Sequence, residues 1–336
     1  MAAKLFVFVQ FEVSFPLGPP DGRYVMRGEA GAEPEHILVV RSEPSGATQA
    51  TVIDAVSLSA EQQARAWLSA LDEERELQSA LVRLNGALHA YRIAAADPDV
   101  NTIGRRHATR IVIGWGTGEQ VADGAFSEAK EIDLAKQGPR PPRLGGLLPG
   151  KRLKSERPHE RFAALVGARD VELLCEEHAL RAREDLEAGR LEHAAVELER
   201  AYRAAIDELP SMPEPQAGGA QAAATPIPRT RRARRHELGE RPWQQPVRVP
   251  GASLPQRAAE LRGLYPEVAA QAAAVLANGV ADTASPSPSE ALARGWAPGD
   301  PVETGGPATL DREALERALG RLEAALRARA AGLFSS

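Results

Sequence analysis

From Leu5 to Phe15 apolar side chains alternate along the chain. Leu5, Val7, Val9, Phe11, Val13 and Phe15 form one set with no polar member, while the other opens on Phe6 and Phe8 and ends in Gln10, Glu12 and Ser14. A period of two is that of a strand, and a first half apolar on both sides places the strand centrally in a sheet. Pro16, Gly18, Pro19, Pro20, Asp21 and Gly22 form a dense turn cluster, after which 23–27, 36–41 and 51–58 read as short strands. Ser59 through Gln62 fits a capping box, so a helix is predicted to start there. Ala64, Trp67, Leu68 and Leu71, then Leu81, Leu84, Leu88 and Tyr91, recur at three- and four-residue steps up to Pro98. That is the stripe of one long helix lying across a sheet face. Residues 110–115 supply another strand, and 125–132 return beside it as a hairpin.

These patterns predict an α+β chain whose N-terminal mixed or antiparallel sheet, with its covering helix, occupies 1–136. A basic Pro/Gly linker follows at 137–157, carrying Arg140, Arg143, Lys151, Arg152 and Lys154. A helical hairpin is predicted at 158–210. Val171, Leu174, Cys175, His178, Ala182 and Leu186 share one helical face, Gly189 breaks the helix, and Leu191, Ala194, Ala195, Leu198, Tyr202 and Leu209 repeat the pattern before Pro210. A linker at 211–254, an amphipathic helix at 255–278, a second linker at 279–308 and a last helix at 309–334 complete the plan. In the last helix Leu315, Leu319, Leu322, Leu326 and Leu333 are spaced four, three, four and seven apart, the seam of a short coiled coil or docking helix. About three heptads are marginal alone, so this seam needs a partner inside or outside the chain.

The hairpin resembles a single tetratricopeptide-type helical pair at about 175–209, because Ala182, Gly189, Leu191, Ala194, Leu198 and Ala201 fall at that family's spacing of small and large packing residues. The resemblance covers about a tenth of the chain. Arg181 and Asp185 stand where the family usually places large apolar side chains, and Ile206 where it places proline, with Pro210 four residues later. With no second copy along the chain, the resemblance implies a docking helical pair more than a repeat array.

Composition narrows the classes of function. Across 336 residues, 43% are hydrophobic but only 4% aromatic, so the core rests on Ala, Leu, Val and Ile. Lys4, Lys130, Lys136, Lys151 and Lys154 are the only lysines against abundant arginine, a bias expected of a GC-rich bacterial gene, which lowers the weight of any arginine cluster. A net charge of −5 argues against wholesale nucleic-acid or anionic-membrane binding. With Cys175 as the single cysteine, neither an internal disulfide nor a multi-cysteine metal site is available, and the expected compartment is the cytoplasm. No apolar run approaches the roughly 18 residues of a membrane span.

Four constellations invite chemistry. Gly114, Gly116 and Gly118 follow the strand Ile111–Ile113 and suggest a phosphate loop, but the spacing departs from a dinucleotide fingerprint, and Glu119 and Gln120 stand where a P-loop has Lys and Ser or Thr. Arg105, Arg106 and His107, with Arg110 and a Trp115 wall, form a candidate anion pocket. Cys175 and His178, one helical turn apart, read as a thiolate–imidazole pair or as packed core residues. Arg231, Arg232, Arg234 and Arg235, in the basic run from Arg229 to Arg241, are candidates for phosphate-backbone or protein contact. The sequence holds no G-x-S-x-G and no H-E-x-x-H, and neither a cofactor nor a metal is expected. The leading expectation is a non-enzymatic interaction or assembly component, with Leu315, Leu319, Leu322 and Leu326 as the face for a protein partner or sister subunit. A nucleic-acid accessory using Arg229–Arg241, and an enzyme or nucleotide binder around Arg105–Gly118, are the alternatives.

Overall fold

The computed structural model describes residues 4–134, 157–211, 254–283 and 310–332. These fall into two compact units that divide between Glu172 and Leu173. Of the predicted linkers, 137–156, 212–253 and 284–308 lie outside the described residues, as does Leu333, whereas 279–283, expected to open the second linker, continue the preceding helix.

The first unit is built on an antiparallel six-stranded sheet of order β2-β3-β4-β1-β5-β6. Its strands are β1 (Leu5–Val13), β2 (Gly22–Met26), β3 (His36–Ser42), β4 (Thr48–Asp54), β5 (Ala108–Thr117) and β6 (Glu128–Glu131). β1 lies at the centre, as its doubly apolar first half requires. Register assigns the faces, because residues paired across an antiparallel ladder point the same way. Val9 pairs with Val52 and Ile113, Val52 with Leu38, and Leu38 with Tyr24, a continuous apolar row on one face. One row towards the end of β4, Met26, His36 and Asp54 pair in turn, so a polar row borders the apolar one on that face. The opposite face buries Phe8, Ile37, Val39, Ile53 and Val112 under Val121 and Ala122 of a 3₁₀ helix at Gly118–Asp123.

The helix expected to run unbroken from Ser59 to Pro98 is two helices, α1 (Glu61–Ser69) and α2 (Glu73–Ala95). Asp72 separates them: its carboxylate accepts the Arg75 amide at 3.2 Å, and Glu73, Glu74 and Glu76 load the new first turn with the negative charge a helix N-terminus favours. The break lets α1 pack Ala64 and Leu68 against Leu5 and Trp115 while α2 follows its own line. The predicted capping box also differs, since Ser59 bonds the Gln63 side chain and α1 is N-capped by Ala60 without a side-chain acceptor.

The unit extends past the expected boundary at 136. Helix α3 (Pro158–Val166) packs on α2 and β2. The Arg27 amide bonds the Val166 carbonyl at 3.0 Å, and Phe162 sits between the rings of Tyr24 and Tyr91 at centroid distances of 4.5 and 5.4 Å. Arg161, 6% exposed at its side chain, pairs with Asp170 (3%) at 3.2 Å and donates to the Ile93 carbonyl in the last turn of α2 at 3.4 Å. Segment 158–172 therefore belongs with the sheet and not with the hairpin.

The second unit comprises α4 (Leu174–Glu187), α5 (Leu191–Ser211), α6 (Leu254–Thr283) and α7 (Arg312–Gly332). Its core joins Ala182, Leu186, Leu198 and Tyr202 of the α4–α5 pair to Leu261 and Val268 of α6 and to the leucines of α7. The first amides of α4, at Leu174 and Cys175, are accepted by Glu208 of α5 at 3.0 and 3.1 Å. The Tyr202 hydroxyl donates to the Ala318 carbonyl at 2.8 Å, and Arg183 pairs with Glu323 at 2.7 Å. Leu315, Leu319 and Leu322 are wholly buried and Leu326 is 9% exposed. The expected partner face is thus already occupied: the seam that a lone helix could not hide is covered by α4, α5 and α6.

Candidate functional site

Along α2, Arg75, Ser79 and Arg83 recur at four-residue intervals, so the three side chains stack on one side of the helix. That side meets the polar row of the sheet, and the junction leaves two cavities that share His36 and Arg83. The larger, about 330 Å³, is closed by Met26 of β2, Leu165 and Val166 of α3, and Gly86 of α2, with Glu35 and Glu172 at its polar margin. The smaller, about 220 Å³, has Val9, Val52, Ala80 and Trp67 as apolar walls and Arg75, Ser79, Asp54 and Glu76 as polar ones.

His36 Nδ1 is buried without a hydrogen-bond partner. Among the described residues, Arg83 and Arg75 place their guanidinium groups in no hydrogen bond or ion pair. A buried polar atom left without a partner costs about 1–3 kcal/mol, and this one belongs to a side chain that lines both cavities. Burial first, and then the positive charge of Arg83, push the His36 pKa below its ordinary value, against the smaller opposing pull of Asp54 and Glu35. The imidazole is therefore neutral near pH 7 and offers a lone pair to a donor.

Ser79, His36 and Asp54 line the same cavity without forming a nucleophilic relay. Such a relay needs the imidazole bonded on both sides, whereas Nδ1 of His36 is unbonded and Asp54 Oδ1 accepts the amide of Val56 at 3.0 Å. The arrangement is not set for acyl transfer. A second shallow pocket of about 450 Å³ opens on the other sheet face, but its charged groups neutralise one another, Arg41 with Asp123 at 2.8 Å and Arg110 with Glu12 at 2.9 Å.

The residues singled out in the sequence do not gather at the cavities. Gly114 and Gly116 lie inside β5, not in a loop. A Cβ on Gly114 would come within 2.5 Å of the Ala129 Cβ and the Glu128 carbonyl, and one on Gly116 within 2.7 Å of Val121, so their role is close packing. Gly118, at φ +61°, turns the chain into the 3₁₀ helix, and no long helix follows to receive a phosphate. Arg105 pairs with Glu74 at 3.4 Å and donates to the Asp133 carbonyl at 2.8 Å. The Gly104 amide donates to His107 Nδ1 at 3.0 Å, Arg106 Nε lies 3.2 Å from Nε2, and burial with Arg106 nearby lowers the His107 pKa. Trp115 stands at the other end of β5, roughly 27 Å away for eight residues of strand, and packs with α1 instead. The predicted anion pocket is therefore not assembled.

Cys175 and His178 also part company. Burial pushes the Cys175 thiol well up, which keeps it protonated, and His178 Nδ1 meets Glu197 at 2.7 Å. Arg231, Arg232, Arg234 and Arg235 lie outside the described residues. Among the described residues no group of three or more His, Cys, Asp or Glu side chains is placed to hold a metal ion, and no helix is long and apolar enough to cross a membrane. No family model matches the chain, and comparison with curated proteins and with solved structures returns no match.

Proposed function

We propose that this chain is a non-enzymatic binding and assembly component whose sheet unit takes up a small polar ligand between α2 and the β3–β4 strands. The observation that carries this reading is the pairing of an uncommitted guanidinium on α2, Arg83, with an orphan imidazole nitrogen on β3, His36, at the walls of the same two cavities. Two unsatisfied groups of opposite hydrogen-bonding character, brought together from distant parts of the sequence over apolar walls, are what a preformed ligand site needs. The hairpin's resemblance to the tetratricopeptide type implies that proteins dock on the helical unit, through side chains other than the buried α7 leucines.

A thermal-shift screen of small polar metabolites, run on the natural chain, on Gly86→Leu, whose side chain enters the larger cavity, and on Ser79→Leu, whose side chain enters the smaller one, tests the ligand site. A Cβ at Gly86 meets nothing within 4 Å, so the substitution fills the larger cavity without straining the helix. Ligands should raise the melting temperature of the natural chain and not of the variant whose cavity they occupy. Equal shifts in all three chains would place binding elsewhere and contradict the reading.

A further inference from the structure

The cavity walls carry both signs of charge in balance, and this selects among ligands. The smaller cavity sets Arg75 and Arg83 against Asp54 and Glu76; the larger sets Arg27 and Arg83 against Glu35 and Glu172. A simple anion entering either space approaches two carboxylates, and a simple cation approaches two guanidinium groups. A molecule bearing an anion and a cation a few ångströms apart satisfies both and stays neutral overall.

Geometry orders the two ends. Arg83, on the helix, faces a sheet row in which His36 and Asp54 are register partners. The carboxylate of a ligand belongs on the helix side, where Arg83 can hold it through two parallel N–H donors. Its ammonium belongs on the sheet side, where Asp54 supplies charge and the neutral His36 ring supplies an acceptor nitrogen. The remaining wall of the smaller cavity, Val9, Val52, Ala80 and the half-buried Trp67, is apolar and fits an aliphatic or aromatic side chain.

We propose that the groove is a receptor for a free α-amino acid with an apolar side chain, its carboxylate on Arg83, its ammonium on Asp54 and His36, and its side chain against Val52 and Trp67. This rests on the reading of the groove as a ligand site and names the class of ligand.

Isothermal titration of the full chain with L-leucine, L-methionine and L-phenylalanine tests it, alongside L-leucinamide, which lacks the carboxylate, and N-acetyl-L-leucine, which lacks the ammonium. At least one amino acid should bind, with a tenfold or greater loss in both blocked analogues and in Arg83→Gln, a partly exposed position that leaves the fold intact by circular dichroism. Equal binding of either blocked analogue overturns the zwitterion assignment. So does silence from all three amino acids, and the screen on Gly86→Leu and Ser79→Leu then separates the two levels. A cavity-dependent ligand of another class defeats only the amino-acid identity, whereas no cavity-dependent ligand defeats the site as well.

Discussion

Truncating Leu319 to alanine asks directly whether the C-terminal leucines serve the chain or an outside partner. Leu319 is fully buried in the cluster that also holds Leu198, Tyr202, Leu315 and Leu322. Cutting its isobutyl group back to a methyl there forfeits the transfer free energy of three carbons and leaves a cavity, together about 3 kcal/mol within the 2–5 kcal/mol range for such sites. With a urea m-value of about 2 kcal/mol/M, the midpoint of the helical transition should fall by about 1.5 M. Urea unfolding followed at 222 nm, with hydrogen exchange read separately over 191–211 and 312–332, assigns the loss to this unit. Both segments should lose protection together, because Tyr202 and Ala318 are joined by a hydrogen bond of 2.8 Å. A change below about 0.5 kcal/mol, the range of a surface substitution, would show that α7 does not dock here and would return these leucines to an intermolecular role.

Other perturbations reach different parts of the account. Arg161→Met takes the guanidinium away from the buried Asp170 carboxylate, which keeps the Val171 amide, and should cost about 3–5 kcal/mol, whereas adding Asp170→Asn should recover much of it; an additive double variant in chemical denaturation would deny the coupling. Gly114→Ala should destabilise the sheet unit by about 1–3 kcal/mol, since the new methyl meets the β6 backbone, and an unchanged melting temperature would reopen the loop reading. Gly86→Ala should stabilise by about 0.5–1 kcal/mol, through helix propensity, because its Cβ enters open space. His36 and His107 both have folded pKa values below their ordinary one. The unfolded chain therefore binds more protons in acid, and stability present above about pH 6.5 declines as pH falls through that value towards the folded pKa. Replacing His36 by phenylalanine should flatten that slope in pH-dependent unfolding, and a slope that does not change would remove His36 from the account.

The sheet was readable from its own period: the alternation from Leu5 to Phe15 is that of β1, and its doubly apolar start agrees with a central position. The division between α1 and α2 carried a readable signal as well, an Asp at 72 followed by three acids in the next four positions, but the hydrophobic stripe on either side keeps its spacing and masks the break. The polar stripe Arg75, Ser79 and Arg83 is visible at helical spacing, yet its meaning depends on His36 and Asp54. Those two lie more than twenty residues earlier and become neighbours only through the register of β3 on β4. Glycines after an apolar run pointed to a phosphate loop because sequence does not reveal that Ala129 packs directly over Gly114. The α7 leucines read as unpartnered because the helices that bury them are far away in the chain, the nearest separated by the segment at 284–309.

Whether the space bounded by Arg83 and His36 is a binding site decides the proposed function. Hydrogen exchange of the full chain, with and without saturating L-leucine, measures this most directly. Protection should rise over 36–40 and 75–90, which carry the two walls, and remain unchanged over 191–211 in the helical unit. Protection confined to the helical unit, or the same change in Arg83→Gln at equal ligand, would contradict it.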